Sequence, residues 1–284
     1  MKKFIAILLT LALMLTFAAC GGTPATDGTD GDASTQDHAE PTKLSKLDQI
    51  KSAGKLVVGT SADFAPYEFH VVKDGKDTIV GFDMSLAKAI ADDLGVTLEI
   101  KDISFDSILL DLASGSIDLG IAGFSPDAKR KETVDFSELY YEGGQSLVIA
   151  KANADKYKTY ADFKGLQVGA QTGSIQADLL TANTPDAQAV LLQKVPDIIL
   201  ELLSGKIEGA FIETIVLKSY QKNYPELMEL CPVEYENEGS AVAIAKGNDD
   251  LMEAVNAVVA KVVESGKMGE WVAEAQDLSD QAAA

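Results

Sequence analysis

The chain has 284 residues, with 44 acidic against 24 basic side chains and a formal net charge of −20 at pH 7. This acidity makes nucleic acid and anionic membrane surfaces poor partners, because their phosphates carry the same sign of charge. The two histidines, His38 and His70, have no cysteine or second histidine at ligand spacing. The sequence therefore predicts no metal site and no cofactor.

The chain begins with two lysines, an apolar stretch at 4–17 and then Ala-Ala-Cys20. The stretch is shorter than the ~18 residues of a membrane-spanning helix, so 1–19 is predicted to be a secretory signal peptide. Ala-Ala-Cys20 resembles the lipobox of bacterial lipoproteins, in which the cysteine is diacylated, although Phe17 replaces the usual Leu. The alternative is an N-terminal helix that ends in a buried cysteine. With Cys20 lipidated, Cys231 has no partner for an intramolecular disulfide.

Residues 20–43 are predicted to be a flexible tether, because Gly, Thr, Asp, Ala, Ser and Pro dominate and no apolar period is present. The first lobe follows. A short apolar strand at 55–60 leads into a turn-rich loop, a helix is predicted at 84–94 and another strand at 96–100. Strand, helix and strand in this order build parallel sheets through right-handed crossovers.

Two stretches, 107–123 and 197–213, nearly repeat one another. Each has apolar residues at helical spacing, a Ser-Gly stop and a short apolar run, which predicts a helix, a tight turn and a buried strand. The duplication predicts two similar α/β lobes. Ligands of such sheets lie beyond the carboxyl ends of the strands, so Gly123 and Glu213, where the repeats end, are predicted to line one cleft for a small molecule.

Each lobe carries a further signal for binding an anion. After Gly123, Asp127 is predicted to cap a short helix that carries Arg130, whose guanidinium fork suits a carboxylate or phosphate. The alternative is that Ser125 merely caps and Arg130 points to solvent. In the second lobe, 166–176 predicts a strand, a glycine turn and a helix start, with spacing that differs from a nucleotide P-loop. A return strand at 239–245 and a helix at 251–263 close the chain.

Five segments together resemble the polar amino-acid substrate-binding proteins of ABC importers: 60–69, 81–83, 123–141, 165–174 and 205–213. The resemblance runs from about Leu44 to the end. It implies a type II periplasmic-binding-protein fold, an α/β clamp of two lobes, each a mostly parallel sheet flanked by helices. The implied boundaries are 44–142 plus 240–284 for lobe 1 and 146–236 for lobe 2, with hinge crossings near 143–145 and 237–239.

The resemblance also assigns site residues. Arg130 looks like the arginine that grips the ligand α-carboxylate, and Ser125 assists it. Gly123 looks like the backbone acceptor for the ligand ammonium. Glu213 stands where the family has an Asp that binds the same ammonium, and its side chain reaches one methylene further. Ser174 is expected to offer its N–H to the carboxylate.

The remaining predicted ligand-binding residues lie near Ser174 or around the ligand side chain. Gln171 precedes the Ser174 turn, and Ile175 stands where many relatives carry Thr. Phe64 and Phe105 match aromatic positions that sandwich the ligand side chain, and the alternative for both is packing in the core.

The predicted ligand is a polar α-amino acid, with arginine or lysine favoured. Asp63 and Glu68 could bind a cationic tip, or could face solvent instead. Ser61, which stands where cation-binding relatives have Asp, argues against this choice, so glutamine, histidine and cystine stay open.

The resemblance implies a monomeric binding protein, anchored on the extracytoplasmic face of the cell membrane, that delivers its ligand to an ABC permease. The alternative from another class is an enzyme similar to cyclohexadienyl or arogenate dehydratase on the same fold. Such an enzyme needs a general acid, for which Glu213 is the one candidate. The sensory domain of a membrane receptor is a third class, and it would require a membrane helix and a signalling domain beyond Ala284.

Overall fold

The computed structural model describes residues 44–73, 75–236 and 239–282, so the predicted signal peptide, Cys20 and the tether lie outside it. The α-helices in these ranges are α1 (Lys46–Ala53), α2 (Phe82–Leu94), α3 (Phe105–Ser114), α4 (Ile175–Asn183), α5 (Val195–Leu203), α6 (Thr214–Asn223), α7 (Asp249–Glu264) and α8 (Lys267–Ala282). The strands are β1 (Lys55–Thr60), β2 (Asp63–Phe64), β3 (Glu68–Lys73), β4 (Lys76–Val80), β5 (Thr97–Asp102), β6 (Leu119–Gly120), β7 (Val134–Tyr141), β8 (Gln145–Ala150), β9 (Gln167–Gln171), β10 (Gln188–Leu192), β11 (Gly209–Glu213), β12 (Leu227–Val233) and β13 (Ser240–Ala245).

Two five-stranded sheets have equivalent strand orders, β5-β1-β6-β13-β7 and β10-β9-β11-β8-β12. In the first sheet β1 is parallel to β5 and β6, and β13 runs antiparallel to both of its neighbours. In the second sheet β9 is parallel to β10 and β11, and β8 runs antiparallel to both of its neighbours. Each sheet thus has a single reversed strand. The prediction of two α/β lobes with mostly parallel sheets is confirmed.

The repeated segments form the same unit in both lobes. Helix α3 is followed by its C-cap residue Gly115, which adopts a left-handed φ of 77°, and then by β6. Helix α5 is followed by its C-cap residue Ser204. The next residue, Gly205, has a φ of 73°, and β11 comes after it. A left-handed residue ends a helix because it turns the chain away from the helical path, and glycine adopts it without strain. The carboxyl ends of β6 and β11 therefore occupy equivalent positions in their two sheets.

Apolar side chains pack on both faces of each sheet. Between α3 and the first sheet, Ile108, Leu112 and Phe124 are fully buried, and each such side chain contributes about 1.5–3 kcal/mol. A larger cluster continues from α2 and α7 of the first lobe to α5 and α6 of the second, and Phe64 and Ile198 both belong to it. The two lobes therefore share apolar contacts.

The chain passes between the sheets twice. It leaves the first sheet after β7 and enters the second at β8, and it returns between β12 and β13. Helix α8 packs on α2 and α7 and also reaches α6, where Lys222 pairs with Asp280. A hairpin, β3 and β4, joins β2 in a small antiparallel sheet that the sequence analysis did not predict.

Candidate functional site

The carboxyl ends of the parallel strands face one another, and side chains at these ends bond across the cleft. Asp63, which follows β1, accepts a hydrogen bond at Oδ2 from the N–H of Val195, the first residue of α5, at 3.0 Å. Arg130 donates from Nη2 to the carbonyl oxygen of Gly173, in the turn before α4, at 3.2 Å. Because loops of the first lobe bond directly to helix starts of the second, the cleft is closed in this structure.

Arg130 lies in a tight turn at one end of the cleft. Asp127 Oδ1 accepts the Arg130 N–H at 2.8 Å, as a helix cap does, but the turn is a single 3₁₀ turn at Arg130–Glu132 and not the predicted short helix. The guanidinium pairs through Nε with Asp127 at 3.3 Å and donates from Nη1 to the Ser125 carbonyl at 2.9 Å. A guanidinium has five N–H donors, so Nη1 and Nη2 each keep a second N–H for another acceptor.

Two aromatic rings support this guanidinium. The rings of Phe105 and Phe124 stack with centroids 4.7 Å apart, and Cζ of Arg130 lies 5.6 Å from the first centroid and 5.2 Å from the second. Burial lowers the pKa of Arg130, and Asp127 and Asp178 oppose that shift. Phe105 therefore holds Arg130 in place, and its predicted contact with a ligand side chain stays a prediction.

The glycine turn of the second lobe leads into α4 as predicted. The Ser174 hydroxyl accepts the N–H of Ala177 at 3.2 Å and donates to the carbonyl of Gln171 at 2.7 Å. Its backbone N–H donates to the same carbonyl at 3.3 Å, so a ligand carboxylate would share that donor. Ile175 is the first residue of α4, where backbone N–H groups have no partner inside the helix. These donors face the end of the cleft where Arg130 crosses to Gly173.

At the opposite end, Glu213 terminates β11 and is buried. Its carboxylate accepts the Tyr67 hydroxyl from the first lobe, and Ser240 donates to that hydroxyl oxygen at 3.3 Å. Gln145, paired with Glu213 across β8 and β11, also bonds to the carboxylate. Burial raises the pKa of Glu213 to about 8, with a further contribution from Asp83, while the Tyr67 and Gln145 hydrogen bonds oppose the shift. The ionised form of Glu213 is therefore disfavoured as long as no cation lies beside it.

Two further carboxyl groups, Glu68 and Asp83, lie fully buried behind Glu213. Burial raises the pKa of Asp83 to about 7, and burial together with the charge of Asp83 holds the pKa of Glu68 well above its usual range. Within the described ranges, none of these three carboxyl groups forms an ion pair with Lys, Arg or His. A cation that reached this end of the cleft would stabilise their ionised forms.

Asp63 is directed at the second lobe. Its Oδ1 accepts the Ser61 hydroxyl at 3.1 Å, and its Oδ2 accepts Gln171 Nε2 at 3.4 Å besides the Val195 N–H. Burial raises its pKa, which these hydrogen bonds oppose. Phe64 stacks on Tyr67 with centroids 5.2 Å apart. The ring of Phe64 borders a small cavity, which is also lined by Gln171, Gln176, Val195, Ile198, Phe211 and Ile212.

The sequence analysis missed several residues of this site, among them Tyr67 and Asp83. Val195 could have been found, because it begins the helix of the second repeat and helix starts have free N–H groups. Gln145 reaches Glu213 only because β8 pairs antiparallel with β11, and Gln176 donates to Gln145 Oε1 at 2.8 Å. No local pattern in the sequence reveals that strand pairing.

No group of three or more His, Cys, Asp or Glu side chains in the described part of the chain could hold a metal ion. Among the same residues, no helix combines the length and apolar character needed to cross a membrane.

Residues 56–274 match the family model for bacterial extracellular solute-binding proteins, family 3. The arginine-binding extracellular protein ArtP of Bacillus subtilis is 31% identical over 272 residues, which cover 94% of this chain and 95% of that protein. Among solved structures, the amino acid ABC transporter substrate-binding protein AbpA of Streptococcus pneumoniae, bound to L-arginine, is 38% identical with a TM-score of 0.79. The match covers 82% of this chain and 98% of that one.

A third similar protein bears on the enzyme alternative. The ancestral amino acid-binding protein AncCDT-1, a precursor of cyclohexadienyl dehydratase, is 30% identical with a TM-score of 0.73, over 81% of this chain and 99% of that one. This neighbour is itself a binding protein. The predicted clamp fold is confirmed, and so is the prediction of a solute-binding protein and not an enzyme. The chain therefore belongs to the bacterial extracellular solute-binding proteins of family 3.

Proposed function

We propose that this protein captures an α-amino acid with a cationic side chain, arginine first, by closing its two lobes, and delivers it to an ABC permease. One observation carries the proposal: the closed cleft has a guanidinium, Arg130, at one end and a buried carboxyl group, Glu213, at the other. An α-amino acid presents a carboxylate and an ammonium group. A site with these two ends matches both groups at once only when the lobes are together.

At the Arg130 end, the spare N–H groups on Nη1 and Nη2 can bind both oxygens of an α-carboxylate. Ser125 and Ser174 flank the same space from the two lobes, and the N–H groups at the start of α4 favour a negative charge. The guanidinium is already compensated by Asp127, so the carboxylate is bound chiefly by hydrogen bonds.

At the other end, the Glu213 carboxylate and the Gly123 carbonyl are the proposed acceptors for the α-ammonium group. Each charge-assisted hydrogen bond contributes ~1.5–3 kcal/mol. A ligand bound at ~1 μM needs about −8 kcal/mol, so a few such bonds and burial of the side chain are sufficient. The ammonium would also return Glu213 to its ionised form, since it supplies the missing positive charge.

Two observations support a cationic side chain. First, the carboxyl groups around the cleft outnumber its single guanidinium. Second, the arginine-binding protein ArtP and the arginine-bound AbpA structure are both similar to this chain over most of its length. The ring of Phe64 can attract a guanidinium or ammonium by ~0.5–2 kcal/mol. Asp63 keeps unused acceptor capacity on Oδ1, besides its bond from Ser61.

The remaining parts of the proposal concern motion and location. We propose that 143–145 and 237–239 act as hinges, because the chain passes between the two sheets there. The lobes would then comprise 44–142 plus 240–284, and 146–236. We also propose that the mature protein is a monomer held on the extracytoplasmic face of the membrane by a lipid on Cys20, which lies outside the described residues.

Ligand identity is tested by a thermal-shift screen of the twenty amino acids, followed by calorimetry on the best ligands. Arginine should give the largest rise in melting temperature, lysine a smaller one, and glutamine, histidine and cystine less. Agmatine, which is arginine without its carboxylate, is the matched control and should bind far more weakly than arginine. A larger shift with glutamine or cystine would refute the cationic ligand, and equal binding of agmatine would refute the carboxylate contact.

The anchor is tested separately by cell fractionation. Cys20→Ser should move the protein from the membrane fraction to the soluble fraction without a change in ligand affinity. Retention of this variant on the membrane would contradict the lipid anchor.

A further inference from the structure

Gly123 lies in a turn whose geometry admits no other residue easily. Its φ of 57° is left-handed, and a Cβ at this position would lie 3.2 Å from Cε1 of Phe64 and 3.4 Å from the ring of Tyr67. The backbone on either side is tied down, because Ile121 donates its N–H to the Gly59 carbonyl at 3.0 Å and Ala241 donates to the carbonyl of residue 124 at 2.9 Å. The direction of the Gly123 carbonyl is therefore set by the contacts of this turn.

The contact at the centre of the turn comes from Asp83, in the first turn of α2, a residue to which the sequence analysis gave no role. Asp83 is fully buried. Its Oδ2 accepts the Gly123 N–H at 2.9 Å and the Tyr140 hydroxyl at 3.0 Å. The peptide N–H of Gly123 and the side chain of Asp83 are forty residues apart in the chain, so this hydrogen bond joins the helix start to the turn at the end of β6.

The second oxygen of Asp83 faces Glu68. Within the described part of the chain, Asp83 Oδ1 and both carboxyl oxygens of Glu68 are buried without a hydrogen-bond donor. Two adjacent carboxyl groups at 0% exposure do not both ionise readily, because the like charges repel and burial penalises the charged form. One proton between Glu68 and Asp83 resolves the conflict, and it leaves Asp83 Oδ2 as an acceptor for Gly123.

We propose that Asp83 is a positioning residue for ligand binding: it fixes the left-handed Gly123 turn through the Gly123 N–H, so that the Gly123 carbonyl is directed at the ligand ammonium. This inference rests on the proposed function, in which Gly123 is an acceptor of the α-ammonium group. Asp83 itself stays behind the turn and does not contact the ligand. Glu68 holds the other carboxyl oxygen in place through the shared proton.

The test compares Asp83→Asn with Asp83→Ala. Asparagine keeps one oxygen to accept the Gly123 N–H and the Tyr140 hydroxyl, and its amide N–H groups can donate to Glu68. Arginine affinity of Asp83→Asn, measured by calorimetry, should stay within about 3-fold of the native protein. Asp83→Ala removes the acceptor and should weaken binding by about 10- to 100-fold, since it leaves a buried N–H unpaired.

Tyr140→Phe is the matched control, because it removes the other donor to the same carboxyl oxygen and leaves the Gly123 bond. It should lower the melting temperature as a lost buried hydrogen bond does, but change arginine affinity by less than about 3-fold. If Tyr140→Phe weakened binding as much as Asp83→Ala, the effect would come from general loosening of the site, and the positioning role would be wrong.

A second readout requires no ligand. Exchange of the Gly123 amide hydrogen, followed by NMR in the ligand-free protein, should be as slow in Asp83→Asn as in the native protein and faster in Asp83→Ala. If native protein bound no amino acid, the proposed function would fail while the exchange result would still decide whether Asp83 fixes the turn. Unchanged exchange in Asp83→Ala, or loss of affinity in Asp83→Asn, would overturn the inference, and the Asn variant decides it alone if the Ala variant does not fold.

Discussion

The two ends of the cleft carry ionisable groups of opposite type, and among the described residues only the basic group has a charged partner. At the basic end, Arg130 has the Asp127 carboxylate and two carbonyl oxygens as partners. At the acidic end, the hydrogen-bond donors to Glu213 within the described residues are the neutral Tyr67 and Gln145, and the buried carboxyl groups of Asp83 and Glu68 lie behind it. In the proposed function the basic end orients the ligand carboxylate, whereas the acidic end lacks a positive charge that the ligand ammonium supplies.

This asymmetry separates the roles of the two ends in binding. Removing Arg130 should disturb the closed arrangement of the two lobes as well as ligand binding, since Arg130 also links the lobes through Gly173. Removing the acidic group should destroy affinity for an ammonium group but relieve the buried carboxyl cluster. The effects of mutating Arg130 and Glu213 on affinity and stability should therefore differ, because Arg130 has a charged partner and Glu213 does not.

The largest effect is expected for Arg130→Ala. Loss of one partner of a desolvated, hydrogen-bonded charge costs about 2–5 kcal/mol, so arginine should bind roughly 30-fold to several thousand-fold more weakly. Calorimetry measures this loss. Lys129→Ala is the matched control, because it removes the same charge from the neighbouring exposed residue. Only a several-fold loss in Arg130→Ala, or an equal loss in Lys129→Ala, would remove Arg130 from the site.

Glu213→Gln should have the next largest effect on binding, and an opposite effect on the ligand-free protein. Arginine affinity should fall about 30- to 1000-fold, because the ammonium loses its charged acceptor. The ligand-free protein should become more stable at about pH 8, since an amide is less costly to bury than a carboxylate. Glu226→Gln, on an exposed residue of the same lobe, serves as the charge control. A fall in both properties would mean that Glu213 is part of the framework and not of the site.

Much of the fold was predictable because the same helix–turn–strand pattern occurs once in each lobe. Helix, Ser-Gly stop and short strand at 107–123 and 197–213 gave the position of both strand ends, and hence Gly123 and Glu213. The 3₁₀ turn at Arg130 was not predictable, because the stretch after Asp127 has the capping residue of a helix but is held by side-chain bonds to Arg130. Contacts between the lobes were also out of reach, since strand pairing and lobe closure leave no local pattern.

Asp63 provides the next prediction, because it bears on whether the acidic residues contact the ligand or close the lobes. The structure has it bonded to Val195 and Gln171 of the second lobe. If Asp63 serves closure, Asp63→Ala should weaken arginine and glutamine equally, by about 3- to 10-fold, since one interlobe acceptor is lost. If Asp63 instead binds the cationic tip, Asp63→Asn should weaken arginine and lysine alone. Calorimetry with the two ligands separates the outcomes.

The smallest effect concerns pH, and its sign follows from the acidic end. Glu213 and Asp83 have pKa values raised to about 8 and about 7 by burial, and that of Glu68 is raised well above its usual range. The folded protein therefore holds protons that the unfolded chain releases above about pH 4.5. This contribution to stability is complete below that pH and is lost as pH rises through about 7 to 8.

The melting temperature of the ligand-free protein should thus fall, on the order of 5 °C, between about pH 5 and pH 8. His70 acts in the same direction: burial lowers its pKa, but the hydrogen bonds and negative charges of Asp102 and Asp77 together raise it above the usual value. His70→Gln is therefore the control, and most of the slope should remain in that variant.

Arginine should flatten the same slope, because the bound ammonium supplies the positive charge that Glu213 lacks and lets it ionise. Binding at about pH 7 should then release up to about one proton, which calorimetry in buffers of different ionisation enthalpy detects. Glu213→Gln cannot release that proton and should bind without it. A native protein that binds arginine with no proton release would mean that Glu213 is already ionised in the ligand-free state, so that burial does not hold a proton on it.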